Sequence, residues 1–263
     1  MSNRRFSTFS NINDFRDEGI ITPKITFDSS TKKNDLKQVK GIKKYIVTFS
    51  YMKYLIDKVK TLNWKNLIWH PRLGIINIYD EPIGFLTTRV CAPATIVDLE
   101  ELIYLGARYI ILTGGVGVLY NKIRRGDVII PDGSIRDEGA SFHYLSANKK
   151  ANPSDKLVHA LRKSCEKIGV KYHTGKVWTT DAAYRETPTR IRKFKKEGAV
   201  CVDMEAAACF AVGQFRLIDL AAVFYGGDLV HERKWDYRKK GVKYAKQYQE
   251  QLLKIIISTF QKL

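Results

Sequence analysis

Acidic residues are the scarce component of this 263-residue chain: 27 Asp+Glu stand against 45 Lys+Arg, a formal charge of +18 at pH 7. Cysteine is sparse too. The four, at positions 91, 165, 201 and 209, form no CxxC pair and suggest no disulfide framework, and Cys91 and Cys201 fall in apolar runs where they read as small buried hydrophobes. No apolar run approaches the ~18 residues that a transmembrane helix requires. The opening MSNRRFSTFSNINDF carries no apolar core of a secretory signal, so a cytoplasmic, reducing compartment and no membrane partner are expected.

Several motifs are also missing. No Gly-Lys-Ser/Thr follows the glycine-rich run at Thr113 to Gly117, so it is not a P-loop, and no GxGxxG is formed. The histidines at 70, 143, 159, 173 and 231 lack metal-ligand spacing, so no metal and no organic cofactor is expected. Basic residues concentrate at Lys32 to Lys44, Arg190 to Lys196 and Arg233 to Lys246, without a helix-turn-helix or an aromatic-interleaved RNA motif. They read as a solvated surface, and nucleic acid is not an expected partner.

What is present is a globular composition. Hydrophobic residues make up 44% and aromatics 11%, which excludes disorder and low complexity and provides for a sizeable core without staples. Residues 1–44 are polar and mixed in charge and read as a loosely packed lead-in, with Gly19 to Pro23 as its one structured part. Residues 45–263 read as one domain. Tyr45 to Phe49 is a short strand, Tyr51 to Leu62 a helix, and Ile75 to Tyr79 with Ile83 to Thr87 a hairpin turning at Asp80-Glu81-Pro82. A helix with Pro93 in its first turn ends at Gly106, and the apolar run Tyr109 to Leu112 is a strand buried on both faces. Strands at Gly126 to Ile130, Tyr172 to Thr179, Ala199 to Val202 and Leu220 to Tyr225 alternate with helices at Lys156 to Ile168, Thr189 to Glu197, Glu205 to Phe215 and Val242 to Phe260. Alternation without a composition break is an α/β pattern, and no internal repeat or linker interrupts it.

Ligands of open α/β sheets lie beyond the carboxyl ends of strands, which directs attention to three strand ends: Thr113 to Gly117, Val202-Asp-Met-Glu205 and Tyr225-Gly-Gly-Asp228. Gly114, Gly115 and Gly117 allow close backbone approach and an anion cradle of N–H groups, or simply make a turn between strand and helix. Glu205 opens an Ala-rich helix, where it either binds a ligand or only complements the helix N-terminus. Asp228 follows two glycines as a candidate acid or a turn residue.

In this order, the segments resemble the nucleoside phosphorylase family that includes bacterial purine nucleoside phosphorylase, uridine phosphorylase and the methylthioadenosine/adenosylhomocysteine nucleosidases. The resemblance runs from about Tyr45 to the C-terminus. It is most specific at Val202-Asp-Met-Glu-Ala-Ala-Ala208, with Ala92-Pro-Ala94, Glu100 to Ala107, the glycine run, Gly126-Asp-Val128, Arg136 to Tyr144 and Thr179 to Tyr184 beside it. It implies a three-layer α/β/α sandwich around a mixed, partly barrel-like sheet, assembled as a dimer or as a hexamer built as a trimer of dimers. Glu205 then accepts the ribose 2′- and 3′-hydroxyls, Met204 packs under the sugar, and His143 reaches the 5′-hydroxyl, in many members across a subunit interface. Asp228 matches the acid of the purine-type enzymes that protonates N7 of the leaving base.

The resemblance also exposes departures. Leu112 stands where the family has a phosphate arginine, Gly115 where it has Ser or Thr, and Gly227 where Ser precedes the acid. Thr48 to Lys53 replaces an upstream Gly-Asp-Pro loop with its arginine. The phosphate co-substrate is therefore assigned to Gly114 and Gly115 with Arg72 and Arg89 as compensating cations, while Lys53 is a further candidate. The base is assigned to Tyr184, with Trp178 or Phe142 stacking in place of the family's Phe, where this chain has Ala183. The implied activity is phosphorolysis of a ribonucleoside, purine before uridine, to ribose 1-phosphate and free base. Hydrolysis, or a catalytically impaired binder of nucleosides or nucleic acid, stands as the alternative because of the missing arginines.

Overall fold

The computed structural model describes residue 15, residues 17–67 and residues 69–263; positions 1–14, on which the leader expectation mainly rests, and positions 16 and 68 lie outside the described residues. The chain enters through α1 (Pro23–Ser30), a helix with Pro at its start and the Thr22 hydroxyl accepting from the Ile25 N–H, followed by the single turn α2 (Lys33–Leu36). The lead-in is thus more ordered than its composition suggests. Phe27 is buried, stacked on Tyr104 at 5.7 Å and edge-on to Trp69 at 6.1 Å, so one aromatic side chain docks a helix with no other buried residue.

β1 (Lys44–Phe49) is buried along its whole length and leads through three residues into α3 (Lys53–Lys60). Two-residue β2 (Lys65–Asn66), β3 (Leu73–Ile78) and β4 (Glu81–Thr88) follow. The β3–β4 hairpin turns one residue earlier than expected, at Tyr79 and Asp80, whose φ angles of +52° and +61° match the left-handed pair of a tight hairpin turn. Then come α4 (Ala92–Tyr104), β5 (Tyr109–Val118), β6 (Val128–Asp137), α5 (Asp155–Lys167) and β7 (Tyr172–Thr180). The chain closes with α6 (Pro188–Lys196), β8 (Ala199–Asp203), α7 (Ala206–Phe215), β9 (Asp219–His231), β10 (Lys234–Asp236) and α8 (Ala245–Phe260). The final helix is shorter than its periodicity implied, because Lys239–Tyr244 winds as a 3-10 segment before it.

All ten strands belong to one mixed sheet, in the order β10-β9-β6-β7-β8-β5-β1-β4-β3-β2. An added parallel pairing of β5 with β9 closes β5, β8, β7, β6 and β9 into a ring of paired strands. Helices cover both faces: α4 and α7 pack over a core that includes Val47, Leu112 and Phe210, and α3, α5 and α8 over one that includes Ile46, Ile111 and Ile256. Successive residues of β1 and β5 feed opposite cores, as a strand's twofold period requires. The architecture is the expected α/β sandwich with a mixed central sheet.

Two of the three expected strand ends are instead strand interiors. β5 runs through the glycines to Val118, and β9 runs through Asp228 to His231. Glycine read as punctuation here serves close packing: a Cβ on Gly114 would lie 2.8 Å from the Tyr51 hydroxyl, and one on Gly115 would lie 2.7 Å from the Tyr225 ring. Of the cysteines, 165, 201 and 209 are buried as expected, whereas Cys91 is half-buried at the start of α4.

Candidate active site

β5 has an uneven edge. Residues 109–113 pair in part with β1, which stops at Phe49, and Gly117 and Val118 pair with β8, so the edge opens between them at Gly114 to Val116. A cleft of about 860 Å³ lies over this opening, lined among others by Tyr51, Val90, Gly115, Tyr184, Glu186, Met204, Glu205, Asp228, Arg233, Lys234 and Trp235.

Glu205 is placed by the start of α7. Asp203 at the end of β8 accepts from the Thr179 hydroxyl at 2.7 Å and from the Ala206 N–H at 2.8 Å, and Thr179 in turn accepts from the Ala207 N–H at 2.9 Å. Two of the helix's orphan donors are thereby satisfied from neighbouring strands. Residues Ala206 to Gly213 are all buried, as a helix apolar on every side must be. Glu205, one residue before this helix, is therefore fixed rather than solvated, with 4% of its surface exposed. Its Oε1 is buried and has no hydrogen-bond partner within the chain. Burial and, secondarily, the charge of Asp203 hold the Glu205 carboxyl above the usual carboxylate range, while backbone N–H groups of Met204 and Cys91 pull the other way. Cys91 reaches this position with a φ of +151°, a strained backbone beside the cleft. A buried carboxylate oxygen without a donor, at the positive end of a helix, can accept hydrogen bonds from a ligand.

Asp228 faces the same cleft from β9. The short strand β10 pairs antiparallel with β9, Trp235 opposite Val230, and this hairpin carries the Trp235 Nε1–H to the Asp228 Oδ2 at 2.6 Å. Glu186 lies nearby, just after the 3-10 turn Ala183–Arg185, and is pushed up to about 7 by burial, with the Asp228 charge adding to it. Tyr184 on that turn is fully exposed at the mouth.

The structure thus gathers Glu205, Met204, Asp228, Tyr184 and Gly115, five of the residues selected from sequence, into one cleft. Gly117 of the glycine run lines it as well, whereas Gly114, Arg72, Arg89, Lys53, Trp178, Phe142 and His143 are not among its lining residues. Gly114 is next to Gly115 but backs onto Phe49 and Tyr51. Arg72 is committed to Asp98 of α4 through bonds of 2.5 and 2.7 Å. Arg89 is exposed beside the lining residue Val90. Trp178 is wholly buried, tilted on Phe194 at 4.7 Å and donating to Asp137, because its β7 position points inward into a small core with Ile191 and Val202. Phe142 and His143 sit on the 3-10 turn Ala140–His143, where the Arg136 guanidinium covers the Phe142 ring at 4.0 Å.

Sequence reasoning missed Tyr51, Asp203, Glu186 and Trp235. Glu186 follows Tyr184 by two positions; Tyr51 and Trp235 carry no local signal, since His231 to Lys234 contains none of the usual turn residues. Among the described residues, no group of three or more His, Cys, Asp or Glu is arranged to hold a metal ion, and no helix is long and apolar enough to cross a membrane.

A mixed sheet between helical layers, with an unsatisfied buried carboxylate facing a cleft, defines an α/β protein with a small-molecule site. The chain belongs to the phosphorylase superfamily, whose family model matches residues 87–257. It is 30% identical over 155 residues to the uridine phosphorylase of Treponema pallidum, a match covering 55% of this chain and 60% of that protein's length, less than two thirds. The crystal structure of uridine phosphorylase from Vibrio fischeri superposes with a TM-score of 0.73 at 25% identity, covering 85% of this chain and 94% of that one. The purine nucleoside phosphorylase of Toxoplasma gondii, in complex with immucillin-H, superposes with a TM-score of 0.75 at 22% identity, covering 85% and 91%, a likeness of fold.

Proposed function

We propose that this protein cleaves the N-glycosidic bond of ribonucleosides with phosphate, purine before uridine, giving ribose 1-phosphate and free base. The observation that carries this reading is the buried, unpartnered Oε1 of Glu205 in the cleft that also holds Asp228. A ribose diol supplies hydroxyl donors to this carboxylate, whose Oε1 has none from the chain, and charge-assisted bonds fix the sugar as positive charge grows at C1′. Phosphate oxygen bonds to C1′ as the C1′–N bond breaks, and that electron pair leaves on the base. Asp228, once it has taken up a proton, passes it to the purine N7, a role worth roughly 10²–10⁴-fold. Phosphate is the co-substrate, and the reading needs no metal or organic cofactor. The assembly is proposed as a homo-oligomer, dimer or hexamer, in a cytoplasmic setting.

Incubation with inosine, adenosine, guanosine and uridine, with and without phosphate, tests the reading by released base. Release that depends on phosphate, with purines ahead, is the expected result; no release from any nucleoside overturns it. Hydrolysis is the second reading. It is favoured by Leu112, which is buried in the core at the family's arginine position, and base release indifferent to phosphate would establish it.

A further inference from the structure

The phosphate site expected at the glycines already has an occupant. With no strand covering the β5 edge at Gly115, its peptide groups need partners, and Tyr51 supplies both: the Gly115 N–H donates to the Tyr51 hydroxyl at 3.1 Å, and that hydroxyl donates to the Gly115 carbonyl at 3.2 Å. The ring stacks on Phe49 at 5.6 Å with planes 4° apart, and the phenol passes where a side chain on residue 114 would be. Tyr51 as a residue is nonetheless 46% exposed and lines the cleft, so although its hydroxyl is buried against β5 the ring has an open side toward which it could withdraw.

We infer that Tyr51 determines access of the nucleophile, its phenol occupying the backbone donor that an inorganic oxyanion would use. The inference rests on the proposed reading for the identity of the anion, and on hydrogen bonds for the competition. An oxyanion accepts from the Gly115 N–H only after the Tyr51 hydroxyl has withdrawn, and its apparent affinity is reduced by the fraction of molecules with that side chain withdrawn. Leu112 offers no charge to favour the exchange. Tyr51 thereby biases the cleft toward water over phosphate and sets the phosphate concentration at which phosphorolysis begins.

The test compares the full-length wild type with Tyr51→Phe and Tyr51→Ala, reading inorganic phosphate binding by calorimetry and phosphate-dependent base release by titration. Tyr51→Phe keeps the stacked ring and removes the hydroxyl; Tyr51→Ala also clears the space. Phosphate affinity is expected to rise roughly tenfold in Tyr51→Ala and by less in Tyr51→Phe, following the loss of one or two hydrogen bonds. Unchanged or weaker phosphate binding in both variants, including no measurable binding to any of the three proteins, overturns the inference; if Tyr51→Ala does not fold, Tyr51→Phe decides. Weaker binding in Tyr51→Phe would make Tyr51 a phosphate ligand instead of a competitor. Failure of the proposed function is read separately, as absent base release in wild type, while the binding comparison still decides the role of Tyr51.

Discussion

The indole of Trp235 holds the carboxylate of Asp228 through a 2.6 Å hydrogen bond. One Asp228 oxygen is thereby engaged, so under the proposed function proton transfer to a leaving base would fall to the other. Gly226 and Gly227 before Asp228 give it no side-chain neighbour of its own, which leaves its orientation to the β10 hairpin. Trp235→Phe should reduce purine-nucleoside cleavage roughly tenfold, the scale of one hydrogen bond to a charged group. Asp228→Asn should cost roughly 10²–10⁴-fold in kcat while affecting uridine less. Steady-state kinetics on inosine and uridine check both, and equal losses on the two substrates would remove Asp228 from the acid role.

Glu205 and Asp203 share the start of α7, but the Glu205 Oε1 has no donor, whereas Asp203 accepts from Thr179 and Ala206. Because burial and Asp203 hold the Glu205 carboxyl above its usual range, and because a sugar diol donates to the ionised form, nucleoside affinity should increase as pH rises from mildly acidic to mildly alkaline. Binding should release a proton, detectable as a calorimetric enthalpy that changes with the ionisation heat of the buffer. Glu205→Gln should abolish that dependence and weaken ribonucleoside binding roughly 10–100-fold. A pH-independent affinity in wild type would show that the diol lies elsewhere.

The layers of this fold were readable because its helices and strands bury different patterns: α7 is a run of mostly small apolar residues, and β1 and β5 are predominantly apolar strands. Glu205 was legible for the same reason, as a carboxylate directly preceding a helix with no polar face. The glycines of β5 misled because their φ angles are ordinary for a strand and the space they leave is taken by Tyr51 and Tyr225, a tertiary fact no local pattern carries. Trp178 was placed at the base for lack of an aromatic at 183, although the period of β7 turns it into the core. Trp235 and Glu186 come to Asp228 through a hairpin and a loop, pairings that depend on register rather than on composition.

Glu186 provides a second pH signature. Its folded-state value is raised from the ordinary glutamate 4.5 to about 7, so the native protein binds a proton that the unfolded chain gives up between those values. The associated stability is complete below 4.5 and is lost as pH rises through 7. Glu186→Gln should therefore flatten the decline of the melting temperature across that interval relative to wild type, as thermal denaturation at a series of pH values would show. A parallel offset of the two curves would mean that Glu186 ionises normally and is solvated. Asp228→Asn, which removes the second cause of the shift, should move the Glu186 transition to lower pH.

Arg72 and Asp98 supply the last contrast, between a phosphate ligand and a structural ion pair. Asp98 is buried, and besides Arg72 its side chain accepts from the Thr88 hydroxyl at 2.7 Å. The guanidinium satisfies both carboxylate oxygens and also reaches the Thr87 carbonyl at 3.4 Å. Removing it leaves a buried charge with a single hydroxyl donor, a change that typically costs about 3–5 kcal/mol. Arg72→Ala should therefore lower the melting temperature by roughly 10 °C, since about 1 kcal/mol corresponds to 2–4 °C in a chain of this size class. Arg72→Lys should fall between, because an ammonium cannot make the paired contact. The double variant Arg72→Ala, Asp98→Ala should recover part of the loss, since the unpaired charge is gone. A normal melting temperature in Arg72→Ala together with weaker phosphate binding would instead place this arginine in a phosphate site, most simply that of a neighbouring copy of the chain.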